Sequence, residues 1–178
     1  MKLETMAYFL LGNNLIIGPH IKRQLEFVRE NVPASFLHRK LDDLGCGDGK
    51  VTVLLRDIFL PGRLRGFDVN PGLVKRARGR GIDAAVKDLG SDMPSGELGV
   101  MWGVLHHLDD PGKCIERIKA NYPMVFIREP LRTGRVSWLE TGHPLRKEEI
   151  DALVSAHLPS AVVYYCGNSM LAFYTAQP

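Results

Sequence analysis

Residues 41–50 read LDDLGCGDGK and carry glycine at three alternate positions, Gly45, Gly47 and Gly49. A largely apolar run, 51–55, follows directly. Because glycine adopts positive φ and lets a ligand approach bare backbone, such a cluster is typical of a tight turn or a binding loop. The stretch therefore predicts either a loop shaped for a small molecule or an ordinary turn between a strand and a helix.

Length and composition indicate one globular domain that spans residues 1–178. The 178 residues are 45% hydrophobic and 24% charged, which is ordinary for a protein with a sizeable buried core. The formal net charge is +3. This mild excess is compatible with an anionic partner, but it gives no indication of nucleic-acid binding.

The three cysteines, Cys46, Cys114 and Cys166, lie far apart, and no C-x-x-C pair or histidine at metal-ligand spacing accompanies them. We therefore expect no disulfide framework, no metal site and a reducing compartment. The N-terminal residues lack the long apolar stretch of a signal peptide or a membrane span. The sequence thus predicts a cytoplasmic protein that does not enter a membrane.

Short apolar segments alternate with amphipathic ones along the chain. Helices are predicted at 19–31, 71–80 and 111–121, each of which opens with a proline that suits the first helical turn. A first strand leads into the glycine cluster from about residue 40, and further strands are predicted at 63–69, 83–87, 98–103 and 124–129. Such alternation is typical of a mostly parallel sheet covered by helices.

The C-terminal residues depart from this alternation. After a predicted helix at 145–158, the segment 161–176 contains two β-rich runs around Gly167 and Asn168. Because these two residues favour tight turns, the runs predict a β-hairpin whose last strand is antiparallel. The predicted fold class is therefore α/β, with a mostly parallel sheet that ends in an antiparallel hairpin.

The glycine cluster stands where ligands bind in such a sheet, beyond the carboxyl end of its first strand. Its spacing is G-x-G-x-G, with Lys50 where a dinucleotide fingerprint places its third glycine or alanine. A pyrophosphate-binding turn is therefore a poor match. A Walker loop is excluded, because no G-x-x-x-x-G-K-[ST] occurs around these glycines.

The stretch resembles motif I of the class I S-adenosylmethionine-dependent methyltransferases. Further features stand in that family's order: Asp68 in GFDVN, Asp88 in VKDL, the run MWGVLHHLDDP (101–111) and the C-terminal hairpin. The resemblance covers residues 40–176. It implies a Rossmann-like three-layer sandwich with a seven-stranded sheet, and S-adenosylmethionine as the cofactor with S-adenosylhomocysteine as its product.

The resemblance also implies a cofactor site made of Asp43, Gly45, Cys46, Gly47, Gly49, Asp68, Val69, Asp88, Leu89, Trp102 and Gly103. In that site Asp43 attracts the ammonium group, Asp68 accepts hydrogen bonds from the ribose and Asp88 contacts the adenine amino group. Structural alternatives remain. Asp68 and Asn70 both stand where the next helix needs an N-cap, and Asp42 faces either solvent or a basic neighbour.

His106 and His107 are the candidate catalytic residues, because histidine titrates near neutral pH and can act as a general base. In many members of the family this pair belongs to a turn before the next helix. One imidazole would then bond the backbone and hold that turn. Methyl transfer also depends largely on positioning the two reactants, which requires no proton transfer by the protein.

Substrate recognition is expected from two regions, an N-terminal helical cap (1–32) and the loop 128–147, which in the family close over the acceptor. The loop has an excess of positive charge. Its candidate substrate residues are Arg132 and Arg135, because the guanidinium fork binds carboxylates and phosphates. An anionic acceptor is therefore one hypothesis, and ordinary solvated surface is the other.

Three functions remain open from the sequence. The first is an S-adenosylmethionine-dependent methyltransferase, an enzyme acting on a small-molecule acceptor or on an exposed group of a macromolecule. The second is a non-catalytic subunit of the same fold that stabilises or activates a partner. The third is a nucleotide-dependent oxidoreductase, which the missing G-x-G-x-x-G spacing disfavours.

Overall fold

Strands and helices alternate through the residues that the structure describes, 17–132 and 143–176 of a computed structural model. The strands are β1 (Lys40–Leu44), β2 (Arg63–Asp68), β3 (Asp83–Val86), β4 (Leu98–Trp102), β5 (Met124–Pro130), β6 (Val162–Tyr165) and β7 (Ser169–Thr175). The helices are α1 (Ile17–Asn31), α2 (Lys50–Phe59), α3 (Pro71–Gly79), α4 (Pro111–Asn121) and α5 (Lys147–His157). Two short 3-10 helices, Ala34–Phe36 and Leu105–His107, precede β1 and α4.

The seven strands form one sheet in the order β3-β2-β1-β4-β5-β7-β6. Strands β1 to β5 pair in parallel, whereas β7 runs antiparallel to both β5 and β6. Gly167, with a φ of 58°, lies in the turn that joins β6 to β7. The prediction of a mostly parallel sheet that ends in an antiparallel hairpin is confirmed.

Helices cover both faces of the sheet, because alternate residues of the central strands are apolar on each side. In β5, Val125 and Ile127 belong to the core beneath α4 and α5, while Phe126 belongs to the core beneath α1 and α2. Helix α3 packs on β2 and β3. The three-layer α/β sandwich is therefore also confirmed.

The strand order changes direction at β1, which lies between β2 on one side and β4 on the other. At such a switch point the loops that follow the two neighbouring strands diverge and leave a crevice at the carboxyl edge of the sheet. The glycine turn follows β1 directly. The fold thus places the turn at the crevice where open α/β sheets bind ligands.

The boundaries of the predicted elements agree with the structure to within two residues. Strand β4 ends at Trp102, because Gly103 adopts a φ of 69°, outside the β region. Helix α1 begins at Ile17 and so includes Pro19 in its first turn, where a missing N–H is tolerated. Strand β5 runs one residue further than predicted, to Pro130.

Hydrogen bonds decide two alternatives that the sequence left open. Asp42 is buried and forms a bidentate ion pair with Arg65, at 2.7 and 2.5 Å, so it faces a basic neighbour. Asn70 caps α3, since its side-chain oxygen accepts from the first two free amides of the helix at 2.9 and 3.3 Å. Asp68 is therefore not needed as the cap of that helix.

The structure bears on the predictions about the cysteines and about membrane helices, and it leaves the location and the domain division untested. Cys46, Cys114 and Cys166 are buried and free. No helix within the described ranges is long and apolar enough to cross a membrane. The cytoplasmic location stays a prediction. The division into a cap (1–32) and a core (40–176) also stays a prediction, because residues 1–16 lie outside the described residues.

Candidate active site

A cavity of about 650 Å³ opens at the carboxyl ends of β1, β2 and β4. Its lining includes Asp43, Gly45, Cys46, Gly47, Asp68, Val69, Asp88, Leu89, Trp102, Gly103, His106 and His107. All twelve are residues that the sequence singled out. Of the other predicted site residues, Gly49 and Arg132 do not line the cavity, and Arg135 lies outside the described residues.

The turn after β1 uses left-handed backbone at each of its glycines: φ is 88° at Gly45, 56° at Gly47 and 80° at Gly49. Residues with a side chain rarely adopt such angles. A Cβ at Gly45 would lie 2.5 Å from Cγ2 of Val104, so the turn packs against the loop after β4. A Cβ at Gly49 would lie 2.4 Å from Cδ1 of Ile82, which explains this glycine by packing rather than by the cavity.

Asp43 is a buried carboxylate in the cavity lining, with 2% of its surface exposed. Thr52 Oγ1 donates to its Oδ2 at 2.5 Å, whereas Oδ1 has no hydrogen-bond partner among the described residues. Burial raises the pKa of Asp43 to about 7, and the Thr52 hydrogen bond opposes this rise. Because a buried acceptor without a donor is unfavourable, a ligand that donates to Asp43 would be stabilised here.

The carboxylate of Asp68 joins the end of β2 to the glycine turn. Its Oδ2 accepts from the amide of Gly47 at 2.9 Å, and its Oδ1 accepts from the amide of Asn70 at 2.8 Å. Burial raises the pKa of Asp68, and the two backbone hydrogen bonds oppose that rise. Since each carboxylate oxygen has two lone pairs, Asp68 can hold the turn and still accept from ligand hydroxyls.

Asp88 lies at the exposed edge of the cavity, and its carboxylate is engaged in its own turn. Oδ1 accepts from the amide of Gly90 at 2.8 Å, and Oδ2 accepts from Ser91 Oγ at 3.1 Å. Leu89 is buried beside it, whereas Val69 has 67% of its surface exposed. An exposed aliphatic side chain in a cavity lining offers contact to a flat apolar ligand group.

Trp102 ends β4 in close packing with a buried arginine. The guanidinium carbon of Arg128 lies 5.3 Å from the Trp102 ring centroid, and Arg128 Nε donates to Gln24 Oε1 in α1 at 2.8 Å. From the sequence, Arg128 was placed both in the strand 124–129 and among the charges of the loop 128–147. The structure supports the strand, since Arg128 lies within β5 and is only 7% exposed, and the loop assignment of this residue was wrong.

Two more basic residues of that loop are engaged in α5. Arg146 is the N-cap residue of the helix, and Lys147 Nζ lies 2.6 Å from an Asp151 carboxylate oxygen. Arg132 is exposed and lies outside the cavity lining. The substrate role of Arg132 and Arg135 stays a prediction, and the positive charge that supported it is smaller than the sequence suggested.

His106 and His107 follow β4 side by side, with ring centroids 4.0 Å apart. His107 is exposed, whereas His106 is 7% exposed and its Nδ1 lies 2.7 Å from Oε2 of Glu129 in β5. The other Glu129 oxygen accepts from the amides of Val104 at 2.6 Å and Leu105 at 2.7 Å. Two histidines that are adjacent in sequence therefore occupy different environments.

Glu129 is the site residue that the sequence analysis missed. It follows an arginine in MVFIREP, and no spacing rule connects it to His106, 23 positions earlier. The connection arises from the parallel register of β4 and β5, which pairs Trp102 with Arg128. A charged Arg-Glu pair at the end of an otherwise apolar strand was the signal that could have revealed it.

Acidic side chains outnumber basic ones around the cavity. The lining contains Asp43, Asp68, Asp88 and Asp109 against Lys87, which is itself paired with Asp92. Charges interact more strongly where protein partly replaces water. The lining therefore favours a ligand with positive charge and disfavours a pyrophosphate.

Residues 43–120 match the family model described as a methyltransferase domain. A malonyl-[acyl-carrier protein] O-methyltransferase of Anoxybacillus flavithermus is 33% identical over 63 residues, which are 35% of this chain and 24% of the relative. A trans-aconitate 2-methyltransferase of Rhodococcus jostii is 36% identical over 63 residues, 35% of this chain and 25% of the relative. The matches thus span about a quarter of each of these curated relatives.

Solved structures share the fold over most of the chain. A possible histamine N-methyltransferase from Thermotoga maritima has a TM-score of 0.72 at 13% identity, covering 98% of this chain and 95% of that one. A chain of the Haloferax volcanii complex that contains the Trm112 methyltransferase activator has a TM-score of 0.73 at 16% identity, covering 100% of both chains. Magnesium protoporphyrin IX methyltransferase from Synechocystis, with bound SAH, has a TM-score of 0.67 at 14% identity, covering 89% and 84%.

The family model and the structural likeness cover different lengths of the chain. The family model begins at Asp43, near the end of β1, and ends within α4, so it covers the glycine turn and the strands β2, β3 and β4. The structural likeness extends to the remaining strands, including the antiparallel β7. Residues 43–120 therefore match a methyltransferase domain, and the chain as a whole shares the fold of these solved methyltransferase structures.

Proposed function

We propose that the protein binds S-adenosylmethionine in the cavity and transfers its methyl group to an acceptor. The observation that carries this proposal is the buried Asp43 carboxylate, whose Oδ1 has no partner among the described residues. S-adenosylmethionine has an ammonium group and a positively charged sulfur. A cation in the cavity would be attracted to this poorly solvated carboxylate and would suit the acidic lining.

The remaining lining residues fit the other parts of this molecule. Bare backbone at Gly45 and Gly47 allows close approach, Asp68 accepts from ribose hydroxyls, and Val69 and Asp88 border the adenine. When bound, S-adenosylmethionine supplies a methyl group on a positively charged sulfur that leaves as a neutral thioether. The residues of the chain bind and orient the reactants, which by itself lowers the barrier of a displacement reaction.

The acidic cavity lining disfavours the hypothesis that the protein is a nucleotide-dependent oxidoreductase. A dinucleotide brings two negative charges to the turn after β1, where Asp43 and Asp68 already lie. Like charges at short range disfavour such a ligand. The G-x-G-x-G spacing of the turn disfavours it as well.

We further propose a small acceptor that carries an anionic group. The two curated relatives described above are named for malonyl and trans-aconitate acceptors, both of which bear carboxylates. Arg132 and Arg135 are the candidate contacts, because guanidinium groups bind carboxylates bidentately. A cytoplasmic location belongs to the same proposal and is supported by the three free, buried cysteines.

A second candidate is a subunit that acts together with a partner. In support, the fold resembles over its full length one chain of a complex that contains a methyltransferase activator. Under this alternative the isolated chain binds S-adenosylmethionine but transfers its methyl group poorly or not at all.

Calorimetry and a labelled-methyl assay together test the proposal. We expect S-adenosylmethionine and S-adenosylhomocysteine to bind, and the label to pass to an acceptor in a screen of metabolites, RNA and proteins. Binding without transfer to any acceptor would favour the second candidate. Absence of binding by both compounds would overturn the proposal itself.

A further inference from the structure

The Glu129 carboxylate collects three hydrogen bonds from a single turn. Its Oε1 accepts from the amides of Val104 and Leu105, at 2.6 and 2.7 Å, and its Oε2 lies 2.7 Å from His106 Nδ1. Glu129 is only 2% exposed, so bulk water screens these contacts little. The carboxylate thus ties the turn after β4 and the His106 ring to the end of β5.

These contacts decide which nitrogen of the His106 ring carries the hydrogen. A carboxylate accepts hydrogen bonds and cannot donate them, so Oε2 must receive its hydrogen from Nδ1. A neutral imidazole carries one N–H, and its second nitrogen keeps a lone pair. In this arrangement Nε2 of His106 is a proton acceptor.

Nε2 is the ring nitrogen of His106 that Glu129 leaves available to the cavity. His106 lines the cavity, and its Nε2 makes no hydrogen bond within the part of the chain that the structure describes. Among the described residues, Asp43 Oδ1 is a side-chain atom that is fully buried and lacks a hydrogen-bond partner. His106 Nε2 is not such an atom, so it is not sealed inside the protein. The neighbouring Gly103 has no side chain, and a Cβ there would lie 3.6 Å from His106 Cε1.

We propose that Glu129 is a positioning residue that holds His106 in its Nδ1–H form, and that His106 Nε2 removes a proton from the acceptor during methyl transfer. This inference rests on the proposed function. It also names the acceptor class: the atom that is methylated carries a hydrogen, as in a hydroxyl or an amine. The anionic group of the acceptor then lies elsewhere in the acceptor molecule.

The proton and electrons of this step balance. The O–H or N–H bond of the acceptor breaks, and its proton passes to His106 Nε2. The electron pair left on the acceptor atom forms the bond to the methyl carbon, and the electrons of the carbon–sulfur bond stay on sulfur. His106 becomes an imidazolium, and its Nδ1–H stays hydrogen-bonded to the Glu129 carboxylate. The negative charge of that carboxylate compensates the new positive charge.

The substitution Glu129→Gln tests the tautomer directly. The glutamine oxygen still accepts from the amides of Val104 and Leu105, but its NH₂ group then faces His106 Nδ1. The ring hydrogen must therefore move to Nε2, where it blocks proton uptake. Long-range ¹H–¹⁵N correlation spectra of the protein saturated with S-adenosylhomocysteine show which nitrogen is protonated, and His106→Gln assigns the signal.

The matched control is a second His–Glu pair of the same length on the surface. His157 Nδ1 lies 2.7 Å from Oε1 of the exposed Glu116, and neither residue lines the cavity. Glu116→Gln therefore makes the same chemical change away from the site. We expect it to leave the His106 signals and methyl transfer unchanged.

Activity is compared on 4-hydroxybenzoate, 4-aminobenzoate and benzoate, which share a carboxylate and differ in the presence of a hydroxyl or an amine. We expect transfer to the hydroxyl or amine, and we expect Glu129→Gln to lower kcat by at least about 100-fold, the contribution typical of a general base. Calorimetry on the same variant should find the affinity for S-adenosylhomocysteine within about twofold of the wild type.

Two results would overturn the inference. One is wild-type His106 with its hydrogen on Nε2, and the other is methylation of the carboxylate in all three compounds with equal rates in wild type and Glu129→Gln. Neither result touches the proposed function, which stands or falls on binding of S-adenosylmethionine and on transfer of its methyl group.

Discussion

At the scale of single residues, Asp43 makes the stability of the protein depend on pH. Burial raises its pKa to about 7, whereas the same carboxyl in an unfolded chain titrates near 4. Because the folded-state pKa is the higher one, the folded protein keeps a proton that the unfolded chain releases between these values. The Asp43 contribution to the free energy of unfolding is therefore lost as pH rises from about 4 to about 7.

We expect Asp43→Asn to remove this contribution. Between pH 4 and pH 7, the free energy of unfolding of the variant should rise relative to that of the cofactor-free wild type by up to about 4 kcal/mol, since each pKa unit corresponds to about 1.4 kcal/mol. Urea denaturation at a series of pH values measures the difference. Asp57→Asn changes an exposed carboxylate of α2 and serves as control. A difference that stays constant with pH would contradict the expectation.

The same substitution should act in the opposite direction on the cofactor. At pH 8 we expect Asp43→Asn to weaken binding of S-adenosylmethionine by about 10- to 100-fold, because a hydrogen bond between charged groups is lost. Below pH 7 the affinity of the wild type should fall by about tenfold per pH unit, since Asp43 must first lose its proton. Calorimetry across this range checks both. A wild-type affinity independent of pH would mean that Asp43 does not meet the ammonium group.

Asp68 has a structural contact beside its proposed contact to the ligand. From sequence we expect Asp68→Ala to weaken cofactor binding by roughly 1.5–3 kcal/mol without unfolding the protein. The structure adds that the amides of Gly47 and Asn70 lose their acceptor, so we also expect a loss of about 1–3 kcal/mol in the free energy of unfolding. Calorimetry and urea denaturation separate the two effects. Unchanged affinity with reduced stability would leave Asp68 as a residue that only holds the turn.

At the scale of elements, the glycine turn can be tested against a glycine that shares its backbone angle and nothing else. Gly45 and Gly81 have φ of 88° and 79°, but a Cβ would strike Val104 at Gly45 and meet no atom within 4 Å at Gly81. Either alanine substitution should cost about 1 kcal/mol in unfolding free energy from backbone strain. We expect only Gly45→Ala also to lower cofactor affinity, by at least about tenfold in calorimetry, because Val104 must move at the cavity. Equal affinities in the two variants would argue against a ligand at this turn.

The helices and strands were largely predictable, because glycine and proline residues mark many of their ends. Helix α4 begins at Pro111 and ends at Asn121 as predicted, and Gly167 marks the final hairpin. Errors occurred where tertiary contacts extend an element past its local signal. Strand β5 continues one residue past its predicted end at 129, to Pro130, because it pairs with β7 as far as Ser169, a contact that no local pattern reveals.

At the scale of the whole molecule, the meeting of the three aspartates at one cavity was predictable and the environment of His106 was not. Asp43, Asp68 and Asp88 each follow or end a strand, and parallel strands bring such positions to one edge. The environment of His106 depends instead on Glu129, which reaches it only through the register of β4 against β5. Strand order cannot be read from local periodicity, and it entered the prediction only through the resemblance to a family.

The acidic cavity should make the stability of the whole molecule discriminate between ligands by charge. S-adenosylmethionine or S-adenosylhomocysteine at a hundredfold excess over its dissociation constant should raise the free energy of unfolding by about 2.7 kcal/mol, because only the folded chain binds it. NADH at the same concentration should have no effect, since its pyrophosphate would meet Asp43 and Asp68. Adenosine, which lacks the ammonium group, should stabilise less, and its effect should be the same in the wild type and in Asp43→Asn at pH 8. Thermal melts of the two proteins with the four compounds provide the measurement. A shift with NADH that exceeds those with both adenosylated amino acids would place a dinucleotide at the glycine turn and reverse the assignment of the cofactor.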